Sequence, residues 1–86
     1  MRPYRTVFTR QALDFVADAD EDTYEEIEQW VNRIERSPFI TGDYTEQDED
    51  HRELQVLVLG RVAVSYWIDH AMREVRVARI EASGGR

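Results

Sequence analysis

Residues 4–9 (YRTVFT) set β-branched and aromatic side chains roughly in alternation with polar ones, a pattern that predicts a first strand directly after Pro3. From Arg10 the period changes. Leu13, Val16 and Ala17 fall at helical spacing, Ala12 and Phe15 stand beside them, and Thr9 is placed to cap a short first helix. The acidic run over residues 18–22 predicts a turn and the start of a second helix. Thr23 followed by Glu26, or Asp22 followed by Glu25, has the spacing of a capping box. Tyr24, Ile27, Val31 and Ile34 then form an apolar stripe with Trp30 alongside, and Glu25, Glu28, Asn32, Arg33, Glu35 and Arg36 lie largely off it. Pro38 ends this helix, because proline excludes helical geometry from the residue before it and supplies no N–H to the ladder.

Residues 39–50 (FITGDYTEQDED) show no sustained period, contain Gly42 and cluster acids, and so read as a connecting loop with an exposed acidic stretch. Residues 52–59 and 62–69 are strand-like and separated only by Gly60-Arg61, with glycine where a type II′ hairpin turn requires it. A third run, residues 73–82 (REVRVARIEA), follows the link His70-Ala71-Met72 and should pair next as a meander. Residues 83–86 read as a frayed end. The order strand, helix, helix, three strands predicts an α+β fold with both helices on one face of an antiparallel sheet. The first strand should join that sheet at a position the pattern does not fix.

A two-residue turn at Gly60-Arg61 sets Leu59 opposite Val62 and, stepping outward, 57 opposite 64 and 55 opposite 66. One face then carries Leu57, Leu59, Val62, Val64, Tyr66 and Ile68. The other carries Leu54, Val56, Val58, Ala63, Ser65 and Trp67. One helical layer covers one face, so the second apolar face should meet the 39–50 loop, a second copy of the chain as a homodimer, or another protein. A protein partner is the favoured reading, with Leu54, Val56, Val58 and Trp67 as the partner-binding residues.

The 86 residues fit one domain, residues 1–86, because two cores could not each bury enough apolar surface to offset the entropy of ordering them. The absence of cysteine removes disulfides, thiolate zinc sites and cysteine nucleophiles, and suits a reducing compartment. MRPYRTVFTR has no apolar signal core, and no apolar run approaches a bilayer-crossing length, so a cytoplasmic protein without membrane contact is expected. A formal net charge of -7 argues against a surface built to neutralise phosphates and for a basic protein partner. No cofactor or metal is expected. Asp18, Asp20 and Asp22 have EF-hand spacing, but Thr23 stands where the turn glycine belongs and Gln29 where the bidentate glutamate belongs. Glu46, Asp48, Glu49, Asp50 and His51 read as a solvated loop, and neither zinc spacing nor a phosphate-binding glycine loop occurs.

Four stretches together resemble the RelE/ParE toxin superfamily of type II toxin–antitoxin, or plasmid stabilisation, systems. They are FTRQALDF after a short strand, RIERSP at the end of the second helix, GRVAVSYW with glycine six residues before Tyr66, and the final REVRVARIEA. The resemblance covers nearly the whole chain. It implies two helices against a twisted antiparallel sheet, a cognate antitoxin whose tail wraps the domain, and growth inhibition either by metal-independent mRNA cleavage on the ribosome or by poisoning DNA gyrase. The chain departs from the nuclease pattern. RelE-like nucleases usually read Tyr-Arg-x-x-Tyr where this chain has Val62-Ala63-Val64-Ser65-Tyr66, so Ala63 replaces the arginine. Glu81 and Ala82 occupy the end of the last strand, where a His or Arg is common in the family. Cleavage without a metal needs cations at the phosphate and a placed acid or base. The candidates are Arg52, Arg61 and Arg79, with His51 and His70 beside turns, and Arg52 is also placed to pair with Asp69. A fold of this family that has lost the chemistry and acts as a non-toxic interaction domain is the alternative.

Overall fold

The computed structural model describes residues 3–83. They form β1 (Arg5–Phe8), α1 (Arg10–Asp18), α2 (Glu21–Arg36), β2 (Tyr44–Gln47), β3 (Glu53–Leu59), β4 (Val62–Asp69) and β5 (Glu74–Ala82), an α+β arrangement. The strands make one sheet in the order β1-β5-β4-β3-β2. The meander β3-β4-β5 has the expected hairpin register, with Leu59 opposite Val62, Leu57 opposite Val64 and Gln55 opposite Tyr66. Gly60 has φ of 56° while Arg61 stays outside the positive region, which is the pattern of a type II′ turn. An added Cβ at Gly60 would stand 2.7 Å from both carboxylate oxygens of Glu26, so the turn also needs the space.

The direction of β1, the 39–50 segment and the cap of α2 differ from the sequence reading. β1 lies at the sheet edge and runs parallel to β5, with Arg5 opposite Glu74 and Phe8 opposite Val77, so the sheet is mixed. The segment read as a loop contains β2, which pairs antiparallel with β3 from Tyr44 opposite Val56 to Gln47 opposite Glu53. Four residues, two of them polar β-formers and one an acid, are too few to show a period, and Asp48 does the rest. Its carboxylate accepts from the N–H groups of Asp50 (2.8 Å) and Arg52 (2.9 Å) and builds the β2–β3 turn, in which His51 takes φ of 63°. The cap of α2 differs as well. Asp20, ahead of both expected frames, accepts the Thr23 N–H at 2.8 Å, while Arg33 and Arg36 in the last turn complement the helix dipole.

α1 is capped by Thr9 as expected, its hydroxyl accepting from the Ala12 N–H. The buried face is Ala12, Phe15 and Val16, however, and Leu13 is left exposed. On α2 the buried residues are Ile27, Trp30 and Ile34, with Val31 partly covered and Tyr24 exposed. These pack on Val62, Val64, Tyr66, Val75, Val77 and Ile80 of the sheet. Trp30 meets Tyr66 edge to face with ring centroids 5.1 Å apart, and truncating either large ring to alanine would cost about 3–5 kcal/mol.

The FTRQALDF stretch has a structural task. Where β1 ends, Gln11 continues its pairing with a side chain: its amide N–H donates to Ile80 O at 2.8 Å and its carbonyl accepts the Ile80 N–H at 3.1 Å. Thr9 Oγ1 donates to Ala78 O at 2.8 Å. Ala78 is the extra residue of a bulge, since Ser65 lies opposite Arg79 while Tyr66 lies opposite Val77. The bulge reverses the phase of β5. Val75 and Val77 before it and Ile80 after it all reach the core, whereas strict alternation over REVRVARIEA would turn Ile80 outward. The expected frayed end falls largely outside the described residues. Ser83 is the exception, its N–H donating to Arg61 O at 2.8 Å. No helix among the described residues is long and apolar enough to cross a membrane.

Candidate functional site

Strand pairing defines the face turned away from the helices. Ala63 lies opposite Glu81, Ser65 opposite Arg79, Trp67 opposite Arg76 and Asp69 opposite Glu74, with Val56 and Val58 on β3 in the same layer. Leu54 and Val56, read as partner-binding, are completely buried within the chain, and Ala63 and Ser65 are buried too. Val58, 41% exposed, and Trp67, partly exposed, are what this face offers to another molecule. The segment containing β2 accounts for part of this closure. Glu46 reaches from β2 over the sheet to accept from Ser65 Oγ at 3.2 Å and from Arg79.

Among the described residues, Arg52, Arg76 and Arg79 on this face are each matched by a carboxylate. Arg79 pairs with Glu46 and, at 3.6 Å, with Glu81. Arg76 pairs with the buried Glu74, which also takes Arg5 at 3.2 Å. Arg52 pairs at 3.8 Å with Asp48, the partner the fold supplies in place of the expected Asp69. Trp67 stands between two of these arginines, with the guanidinium of Arg52 4.2 Å and that of Arg76 5.8 Å from its ring. A cavity of about 630 Å³ opens beside them toward the end of β1, lined by Thr9, Arg52, Trp67, Asp69 and Arg76 among others.

The three candidate catalytic arginines are not brought together. Arg52 precedes β3 and Arg61 follows it, so the seven residues of that strand separate them by roughly 20 Å. Arg61 instead faces α2, beside Asp22, Glu25 and Glu26. Arg79 lies between these ends and is held by two carboxylates. His51 is an exposed turn residue. His70 is held in an aromatic cluster, its Nδ1 2.8 Å from Tyr4 Oη and its ring stacked on Phe39. Tyr66, which matches the second tyrosine of the nuclease pattern, is a core residue whose hydroxyl donates to Ile40 O at 3.2 Å. Burial, and secondarily the Asp43 carboxylate, push its phenol above its ordinary pKa, so it stays protonated. Residue-by-residue reading missed Arg76 and the carboxylates Glu46 and Glu74. The bulge that turns Arg76 and Arg79 to one face has no sequence signal stronger than their spacing.

No protein-family model matches the sequence, and no curated protein does. Solved structures do. The chain superposes on the archaeal RelE–RelB complex from Pyrococcus horikoshii OT3 with a TM-score of 0.77 at 14% identity, covering 96% of this chain and 98% of that one. The RelBE2 toxin–antitoxin complex from Mycobacterium tuberculosis gives 0.75 at 19% identity over 95% and 93%. The intact E. coli RelBE toxin–antitoxin complex gives 0.64 at 12% identity over 93% and 96%. The chain therefore has the RelE-like fold, as the four sequence stretches implied.

Proposed function

We propose that this chain is the toxin component of a type II toxin–antitoxin pair, acting in the cytoplasm and held by a protein antitoxin. The reading is carried by the RelE-like fold, which spans nearly the whole chain and belongs to proteins solved as toxin–antitoxin complexes. Between the two actions implied by the resemblance, the geometry favours contact with a protein target such as gyrase over mRNA cleavage. Ala63 supplies no cation, Arg52 and Arg61 cannot reach one phosphate, and Arg79 is occupied by Glu46 and Glu81. Growth after induction of this gene alone, and together with its immediate gene neighbour, tests the pair. Arrest relieved by the neighbour is expected; normal growth with soluble protein present would refute toxicity. Supercoiling by purified gyrase should then be inhibited, and ribosome-dependent mRNA cleavage abolished by Arg79→Ala would overturn the choice of target.

The self-neutralised arginines favour one second reading, a descendant of the fold that keeps a binding role and has lost toxicity. Normal growth together with a stable complex between the chain and the neighbour's product would select it.

A further inference from the structure

At the end of the molecule opposite the β3–β4 turn, α2 stops at Arg36 and the chain passes through Pro38 into two apolar residues that stay in solvent. Phe39 is 77% exposed and Ile40 40%. An exposed patch of this kind in a small soluble domain marks a contact surface more often than an accident. Neither residue is loosely held. The Phe39 ring stacks on His70 with centroids 5.0 Å apart and planes at 14°, and His70 is fixed by Tyr4. The Ile40 carbonyl accepts from the buried Tyr66 hydroxyl, and the Ile40 N–H donates to Ser37 O at 3.2 Å. These restraints hold an open groove of about 1140 Å³ between the end of α2 and the start of β1, walled by Tyr4, Pro38, Phe39 and Ile40.

Its rim carries the opposite sign from the rest of the protein. Arg36 and Arg73 line it against one acid, Glu35, whose Oε2 already accepts from the Thr6 N–H and Oγ1–H at 2.9 Å each. Arg36 forms no ion pair among the described residues. A chain of net charge -7 thus holds an ordered apolar groove with a cationic rim. We propose that this groove seats a short acidic segment of a protein partner. An apolar side chain of the segment lies on Phe39 and Ile40, and flanking carboxylates meet Arg36 and Arg73. A nucleic acid is disfavoured because the rim offers two arginines where a polyanion needs a row of cations against a chain of net charge -7, and a second copy would bring two strongly negative molecules together. The proposal deepens the antitoxin reading and rests on it only for which protein supplies the segment.

The test selects random dodecapeptides displayed on phage against the full chain, with counter-selection on Phe39→Ala. The enriched peptides are then synthesised and measured by fluorescence anisotropy. Phe39 is exposed, so the variant keeps its fold, which amide spectra verify. Enrichment of sequences with an apolar residue between Asp or Glu residues is expected, with roughly tenfold or greater weakening by Phe39→Ala and by Arg36→Glu. Amide shifts should map to residues 35–40, Tyr4 and Arg73, and the double variant Arg36→Glu, Arg73→Glu should prefer the same peptides with lysine in place of their acids. No enrichment over Phe39→Ala, enrichment of basic peptides, or shifts centred elsewhere would overturn the proposal. So would a change in sedimentation on Phe39→Ala, which would show that a second copy fills the groove. Growth arrest relieved by the gene neighbour alongside any of these failures would remove the groove while leaving the antitoxin reading intact.

Discussion

Tyr66→Phe removes one hydroxyl from a fully buried ring and leaves its packing on Trp30 in place. The hydroxyl makes one hydrogen bond, to Ile40 O at 3.2 Å. A neutral hydrogen bond contributes about 0.5–1.5 kcal/mol net, and Ile40 is exposed enough for its carbonyl to regain water, so about 1 kcal/mol should be lost at neutral pH. In a domain of this size that lowers Tm by roughly 4–8 °C. The same group titrates. Burial first, and the Asp43 carboxylate second, raise the folded-state pKa of Tyr66 above its ordinary value of 10.0. On raising the pH the unfolded chain therefore releases its proton first, and above 10.0 it binds fewer protons than the folded chain, so stability falls with pH there. The contribution of Tyr66 is fully present below 10.0 and is lost as pH rises toward the folded value. Phenylalanine cannot lose it. Urea unfolding followed by tryptophan fluorescence should give a constant gap between wild type and variant from neutral pH to about pH 9, then a shrinking gap above the ordinary tyrosine pKa of about 10. A gap unchanged through about pH 11, or a neutral-pH loss above about 3 kcal/mol, would mean that the phenol is solvated or that the ring itself moves, and would refute the account.

Asp20 is held below its ordinary value of 3.8, first by the hydrogen bond from the Thr23 N–H, so its contribution is present above 3.8 and lost as pH falls through the depressed value. Asp20→Asn keeps a cap acceptor without the titration, and the midpoints of wild type and variant in urea should converge on acidification. Gly60→Ala forces a side chain to φ of 56° and should cost about 1–2 kcal/mol, since the Glu26 carboxylate above it can swing aside. Gly42→Ala should cost more, because the new Cβ would stand 2.6 Å from the backbone oxygen of Val56, and faster amide exchange over residues 44–47 would report the loss of β2. Glu35→Ala strips the acceptor from Thr6 on the outer edge of β1; about 1–3 kcal/mol of stability should go, and light scattering should show edge-to-edge oligomers. A monodisperse Glu35→Ala would mean that the edge is protected in another way.

The elements set by periodicity and by local chemistry were readable, and those set by partners distant in sequence were not. The β3–β4 hairpin followed from two apolar runs and one glycine, and its register agrees pair by pair. Thr9 was readable as a cap because its partner is three residues away. β2 was not, because it is made by β3 and the Asp48 turn more than by its own residues. The buried face of α1 was misplaced for the same reason: which of Leu13 or Phe15 faces inward depends on where β5 lies beneath the helix. The bulge at Ala78 matters most for the site. It is held by Thr9 Oγ1 from 69 residues away, and it decides that Arg76 and Arg79 share a face. A strictly alternating strand would have turned one of them toward the core.

That shared face bears on which target the fold can address. Its ion pairs are partly exposed, and exposed pairs are worth about 0–1 kcal/mol, so a phosphate could displace Glu46 from Arg79 at small cost in pair energy. Displacement would not remove the acid. Glu46 is fixed in register by β2, opposite Leu54, and would remain beside any phosphate that Arg79 received. Glu74 and Asp48 stand in the same relation to Arg76 and Arg52. The carboxylates are thus built into the backbone of the face, and they cancel its arginines toward polyanions while leaving Trp67 and Val58 available for apolar contact. A protein surface, which brings both signs of charge and apolar side chains at short spacing, can satisfy such a face without breaking its pairs. Arg36, on the rim of the groove at the end of α2, forms none of these pairs, which is why an acidic segment is assigned to the groove there and not to the sheet.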